Sequence, residues 1–110
     1  MLTIDWSDTA RKRLRDILSY CNYEFGETSA LDLYDSFMSS AEKIARNSLI
    51  GYIEPSVKDC STQFRYLIVK KYNKLVYYVK EDTVHIVEIL DTRMNPKTLD
   101  TKIKTQIQKL

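Results

Sequence analysis

Two arginines stand where a side chain could do chemistry. Arg65 lies inside the strand-like run Phe64-Arg65-Tyr66-Leu67-Ile68-Val69, and Arg93 follows the last such run, in Ile89-Leu90-Asp91-Thr92-Arg93-Met94-Asn95-Pro96. A cation in a sheet must be paired or must present its head to a ligand, because an unpaired buried charge costs several kcal/mol. Placed on neighbouring strands, two guanidinium groups would clamp an anionic partner, a phosphate backbone or an acidic peptide. Lys58 before Arg65 and Lys97 after Arg93 extend the basic set. Arg65 has a second reading, in which it pairs with Glu88 or Asp91 on an adjacent strand and knits the sheet. Arg93 stands better for function, since strand ends and loops carry sites.

Other chemistry-bearing residues have plainer explanations. His85, the single histidine, sits mid-strand between Val84 and Ile86 and reads as a packed or surface strand residue rather than an acid or base. Tyr66, Tyr72, Tyr77 and Tyr78 could stack on bases, yet tyrosine also favours strands for packing reasons. The Arg11-Lys12-Arg13-Arg15 cluster reads as a solvated helix face. The two cysteines, Cys21 on an apolar helical face and Cys60 in a polar stretch, make no disulfide framework and no metal-ligand spacing. No cofactor and no metal are expected, and a reducing cytoplasm is the default setting.

The elements that must position these residues follow from periodicity. Leu2, Ile4 and Trp6 alternate with polar neighbours as a short opening strand. Ser7 offers an N-cap, with Asp8 in the first turn, and Ala10, Leu14, Ile17, Leu18, Cys21 and Phe25 form one helical stripe ended by Gly26. A second helix starts near Thr28 or Ser29, where Ser29 and Asp32 resemble a capping box. Its stripe runs Ala30, Leu33, Tyr34, Phe37, Met38, Ala41, Ile44 and Ala45. The short link predicts an antiparallel hairpin. Gly51 and Pro55 mark a connection from Ser48 to Thr62. Strands follow at Gln63 to Lys71, Leu75 to Glu81 and Val84 to Leu90, joined at Asn73 and at Glu81-Asp82 into an antiparallel meander. Pro96 stops the regular structure, and Leu99, Ile103, Ile107 and Leu110 outline a marginal terminal helix.

The fold class expected is therefore α+β: an N-terminal strand, a two-helix antiparallel hairpin and a three-stranded antiparallel meander, with the helices on one sheet face. One domain covers 1–97, and 98–110 is a C-terminal segment able to form a short helix. The length of 110 residues and 44% hydrophobic content suit a single packed core. The net charge of +2 is unevenly spread: residues 1–55 hold 6 basic and 9 acidic side chains, and residues 56–110 hold 11 and 6. An acidic partner would meet the strand-rich half, which also bears the sheet face left free by the helices. No charged-then-apolar leader and no apolar run near ~20 residues is present, so neither secretion nor membrane spanning is expected.

In order and spacing the chain resembles toxins of the RelE/ParE superfamily from type II toxin–antitoxin systems. The likeness runs from Ile4 to Asn95: Trp6-Ser7 with Ala10, Ile17 with Tyr20, Phe25-Gly26 and Ala30, the proline connection, Arg65, and the closing Ile89 to Pro96 segment. The resemblance implies a small toxin held inactive by a cognate antitoxin protein. RelE-like members cut messenger RNA in the ribosome; ParE-like members lack that chemistry and inhibit DNA gyrase. Lys58 and Arg65 match a RelE-type lysine–arginine pair, and Arg93 matches the late arginine, so Lys58, Arg65 and Arg93 would be catalytic in a RelE-like enzyme. The acid expected after the last strand is missing, because Met94 to Leu99 contain no Tyr or His. The long helices, the Phe25-Gly26 turn and the Leu90 to Asn95 ending favour a ParE-like, growth-inhibiting toxin. Arg65, Arg93 and Lys97 would then bind the target.

Overall fold

The computed structural model describes residues 1–108, so Leu110 of the expected terminal stripe lies outside the described residues. The elements run in the order β1 (Thr3–Trp6), α1 (Asp8–Phe25), α2 (Glu27–Arg46), β2 (Tyr52–Ile53), β3 (Arg65–Val69), β4 (Asn73–Lys80), β5 (Thr83–Asp91) and α3 (Pro96–Gln108). A 3₁₀ turn occupies Pro55–Val57. The sheet has five strands in the order β1-β5-β4-β3-β2. The expected meander β3-β4-β5 is present. β1 joins it parallel to β5, and β2 adds a short antiparallel edge beside β3.

Ser7 starts α1 by two bonds. Its hydroxyl oxygen accepts from the Ala10 N–H at 3.0 Å, and the same hydroxyl donates to the Val87 carbonyl at 3.0 Å. Val87 is the extra residue of a β-bulge, since Val76 pairs with Glu88 and Tyr77 with Ile86. The bulge turns that carbonyl out of the ladder and the cap satisfies it. α1 and α2 are separated by Gly26 alone, at φ 93°, a left-handed value that glycine adopts without a Cβ penalty. The second helix therefore begins at Glu27, ahead of the expected Ser29–Asp32 box, and has no side-chain cap.

Ala10, Phe37, Ala41, Ile44, Leu75, Tyr77, Val84, Ile86 and Ile89 bury together between the hairpin and one sheet face, with Leu14, Ile17 and Leu33 packed against them. Phe25, the last residue of α1, is exposed instead of completing the α1 stripe. The opposite sheet face, expected to be free, is covered. Val57, Phe64, Val76, Val87, Leu90 and Ile103 form a second cluster with Leu99 and Ile107 of α3. Pro96 opens that helix rather than merely stopping the chain, as a proline without an N–H can at a first helical position. Asn95 Oδ1 accepts from the Lys97 N–H at 2.9 Å beside it. Burying Ile103 contributes roughly 1.5–3 kcal/mol, enough to hold a helix of marginal intrinsic stability.

Candidate functional site

Arg93 is held at the exit of β5. Asp91 Oδ1 accepts from the Arg93 backbone N–H at 2.8 Å and from Nε at 2.9 Å, while Oδ2 accepts from Nη2 at 2.6 Å. The guanidinium carbon also lies 4.2 Å from the centre of the Tyr72 ring. The planar fork thus meets a carboxylate along its edge and an aromatic ring on its face. The Arg93 hydrogen bond holds the Asp91 carboxyl below the usual aspartate range. The bond to Asp91 strengthens Arg93 as a base in return, with smaller contributions from Tyr72 and from Tyr20 on α1. Arg93 remains 64% exposed, so the pair is a surface feature. A shallow cleft of ≈ 170 Å³ adjoins it, lined by Arg13, Asp16, Asp91, Met94 and Lys102 among others.

Arg65 has a different setting. Its Nη1 donates to the Gly51 carbonyl at 2.8 Å and its Nη2 to Gln63 Oε1 at 3.0 Å. Neither Glu88 nor Asp91 pairs with it, and among the described residues it makes no ion pair. The reason is topological. Arg65 stands opposite Tyr77, which stands opposite Ile86, whereas Asp91 stands opposite Asn73 at the other end of β4. Glu88 is taken by Arg13 of α1 at 3.0 Å, so one member of the supposed solvated cluster is an ion-pair partner of a buried carboxylate.

The two arginines are not on neighbouring strands, since β4 lies between them. Four residues of β4 also separate their levels, about 13 Å along the strand. No single phosphate bridges both. Lys58 is exposed just after the 3₁₀ turn, and Lys97 is exposed in the first turn of α3; neither makes an ion pair among the described residues. His85 stacks on Tyr78 with ring centres 4.8 Å apart, and its Nδ1 lies 3.3 Å from Asp5 Oδ2. Tyr77 is fully buried, and Tyr66 packs on Tyr52 with the Lys74 ammonium 4.4 Å over its ring. Cys21 and Cys60 are both free thiols.

A family model described as the ParE toxin of the type II toxin–antitoxin system, parDE, matches residues 4–96. The chain belongs to the ParE toxin family. Among solved structures, this ParE-family chain is similar to one described as the chromosomal ParDE toxin–antitoxin system from P. aeruginosa. That match has a TM-score of 0.68 at 17% identity and covers 84% of this chain and 98% of the other. At that identity the likeness speaks for the fold. A comparison with curated protein sequences finds no match. ParE-family membership makes the chain a type II toxin and implies an antitoxin partner. Among the described residues, no helix is long and apolar enough to cross a membrane.

Sequence reasoning named Gly51, Gln63 and Tyr72 for other reasons and did not foresee that they hold the arginines, Gly51 and Gln63 holding Arg65 and Tyr72 lying under Arg93. The Asp91-Thr92-Arg93 spacing was a usable signal, because a residue two places along a tight strand exit returns within reach of its neighbour. The carbonyl of Gly51 carries no such signature.

Proposed function

We propose that this ParE-family toxin arrests growth by binding a protein target, DNA gyrase, from the cytoplasm, and that a cognate antitoxin neutralises it. The observation that carries this reading is the state of Arg93. A cation serving a phosphorane must be free to face the developing charge, with an acid and a base nearby. Here the guanidinium is already engaged by Asp91 and lies over Tyr72, while Lys58 and Arg65 stand on other parts of the fold. An exposed arginine braced on tyrosine, with Tyr20 and Met94 exposed on the same chain, suits a protein-binding anchor, since Tyr and Arg dominate the energetic centres of interfaces.

Neutralisation has a candidate surface of its own. Between α1 and α2 lies an open apolar cleft of ≈ 630 Å³ lined by Leu14, Leu18, Ala30, Leu31 and Tyr34. An amphipathic antitoxin helix would lay its apolar face there. The test is a supercoiling reaction containing purified gyrase and the full-length chain. Inhibition that falls at least tenfold with Arg93→Ala supports the reading. Undisturbed supercoiling together with codon-phased cleavage of ribosome-bound messenger would move the chain to the RelE-like alternative.

A further inference from the structure

The helix hairpin carries two apolar stripes, and the core uses one of them. Leu33, Phe37, Ala41 and Ile44 of α2 pack in the cluster on the sheet, with Ile17 of α1. Leu18 of α1 and Leu31 and Tyr34 of α2 take no part in that cluster. With Leu14 and Ala30 they line the open cleft between the two helices. Leu31 is 57% exposed and Tyr34 39%. A helix with a second apolar stripe has a second surface to meet.

Charge along the hairpin is segregated. At its base, α1 carries Arg11, Lys12, Arg13 and Arg15 with no acidic residue among them. From residue 16 to residue 42, through the tip, there are six acidic side chains and no Lys or Arg. Lys12 is taken by Asp16 and Arg13 by Glu88. Arg15 and Glu27 make no ion pair among the described residues, and both stand in the wall of the cleft. Arg15 lies well before the Gly26 link and Glu27 directly after it. They therefore mark opposite ends of the cleft, roughly 16 Å apart along the helix axis.

An occupant of one sign is matched at one end only, because a basic segment meets Arg15 and an acidic one meets Glu27. A second copy of the chain, turned by 180°, is matched at both ends. In a two-fold pairing each contact occurs twice, so Arg15 of each copy faces Glu27 of the other. The hairpins then meet as a four-helix arrangement. Helices ~27 Å long and ~10 Å across present roughly 500 Å² per copy, or about 1,000 Å² in total, at the lower end for a specific interface. That size fits a reversible pair rather than a permanent one.

We propose that this chain forms a reversible homodimer through the cleft face of its helix hairpin, Leu31 and Tyr34 of each copy seated against the cleft of the other. The pair covers the surface proposed above for an antitoxin helix, so self-association and neutralisation exclude each other there. The dimer itself depends on the hairpin alone and is measured without any antitoxin.

The test is sedimentation equilibrium of the full-length chain between about 1 and 300 μM, where a monomer–dimer equilibrium with a dissociation constant of about 1–100 μM is expected. Leu31→Asp, at an exposed position, should abolish dimerisation with an unchanged melting temperature. Arg15→Glu and Glu27→Arg should each weaken it at least tenfold, since each turns two attractive pairs into two repulsive ones. An equimolar mixture of those two variants should associate as well as the unaltered chain, because the mixed dimer restores both pairs. Loss of apolar contact alone would not give that recovery. A chain that stays monomeric across the range overturns the proposal and leaves the cleft to the antitoxin helix. Association indifferent to Leu31→Asp, growth beyond a dimer, or no recovery on mixing would each overturn it as well.

Discussion

Arg13 on α1 donates through Nε to Glu88 Oε1 on β5 at 3.0 Å, joining residues 75 positions apart. Glu88 is buried at the bulge. Its Oε1 also accepts from the Ile89 N–H at 3.0 Å, and its Oε2 has no hydrogen-bond partner among the described residues. The carboxylate therefore depends on one half-buried arginine for its charge balance. Replacing Arg13 with Ala should cost about 2–4 kcal/mol, most of it from the stranded carboxylate. The double variant Arg13→Met with Glu88→Leu should recover most of that loss. Denaturant melts of the three proteins check this, and equal loss in single and double variants would contradict it.

Tyr77 and Gly51 form the second coupled pair. Tyr77→Phe leaves the Gly51 N–H and the Ser48 carbonyl without their buried partner, a loss of about 1–3 kcal/mol. Gly51→Ala should cost a comparable amount. Tyr77→Phe should relieve it only in part, because the Tyr66 carbonyl oxygen also obstructs the new methyl group. Burial raises the Tyr77 pKa above the ordinary tyrosine value. A raised folded pKa means this contribution is complete below about pH 10 and fades as pH climbs through the folded value. Thermal melts between neutral and strongly alkaline pH should show an alkaline loss that Tyr77→Phe diminishes.

The Asp91–Arg93 pair should matter for the target far more than for the fold. Both groups are substantially exposed, so Arg93→Ala should leave the melting temperature nearly unchanged. The lowered Asp91 pKa gives a stabilisation present above the ordinary aspartate pKa of about 4 and lost as pH falls through the folded value. Asp91→Asn should flatten that small acid limb. Melting curves from neutral pH down to pH 2 would detect it.

Lys74 lies 2.5 Å from Glu54, which is fully buried, and Glu54 Oε1 accepts from the Ser56 hydroxyl at 2.9 Å. The single proton of the Ser56 hydroxyl serves either Glu54 or Asp100 of α3, and through that hydroxyl the run Lys74–Glu54–Ser56–Asp100 links the terminal helix to the sheet. Lys74→Met should destabilise by about 3–5 kcal/mol, whereas Ser56→Ala should chiefly loosen α3. Amide hydrogen exchange separates the two outcomes: global for Lys74→Met, confined to α3 and the Pro55–Val57 turn for Ser56→Ala.

The helices and the meander were readable because each has one buried face, which imposes a period on the sequence. The Leu14–Ile17 stripe and the Val84–Leu90 run are cases in point. β2 was missed because two exposed residues, Tyr52 and Ile53, carry no period. The covering of the second face was missed because Leu99, Ile103 and Ile107 look marginal until Phe64 and Val76 are seen to meet them. At the candidate site, residue types were legible and separations were not. Which strand lies between Arg65 and Arg93, and which carboxylate each one meets, depends on strand order and on a single-residue bulge. No local pattern encodes either.

The most direct measurement induces the chain in growing cells without its antitoxin and follows DNA synthesis and messenger 5′ ends in the same culture. DNA synthesis should halt while transcripts stay whole, and Arg93→Ala should restore growth. Codon-phased transcript cuts with DNA synthesis continuing would contradict it.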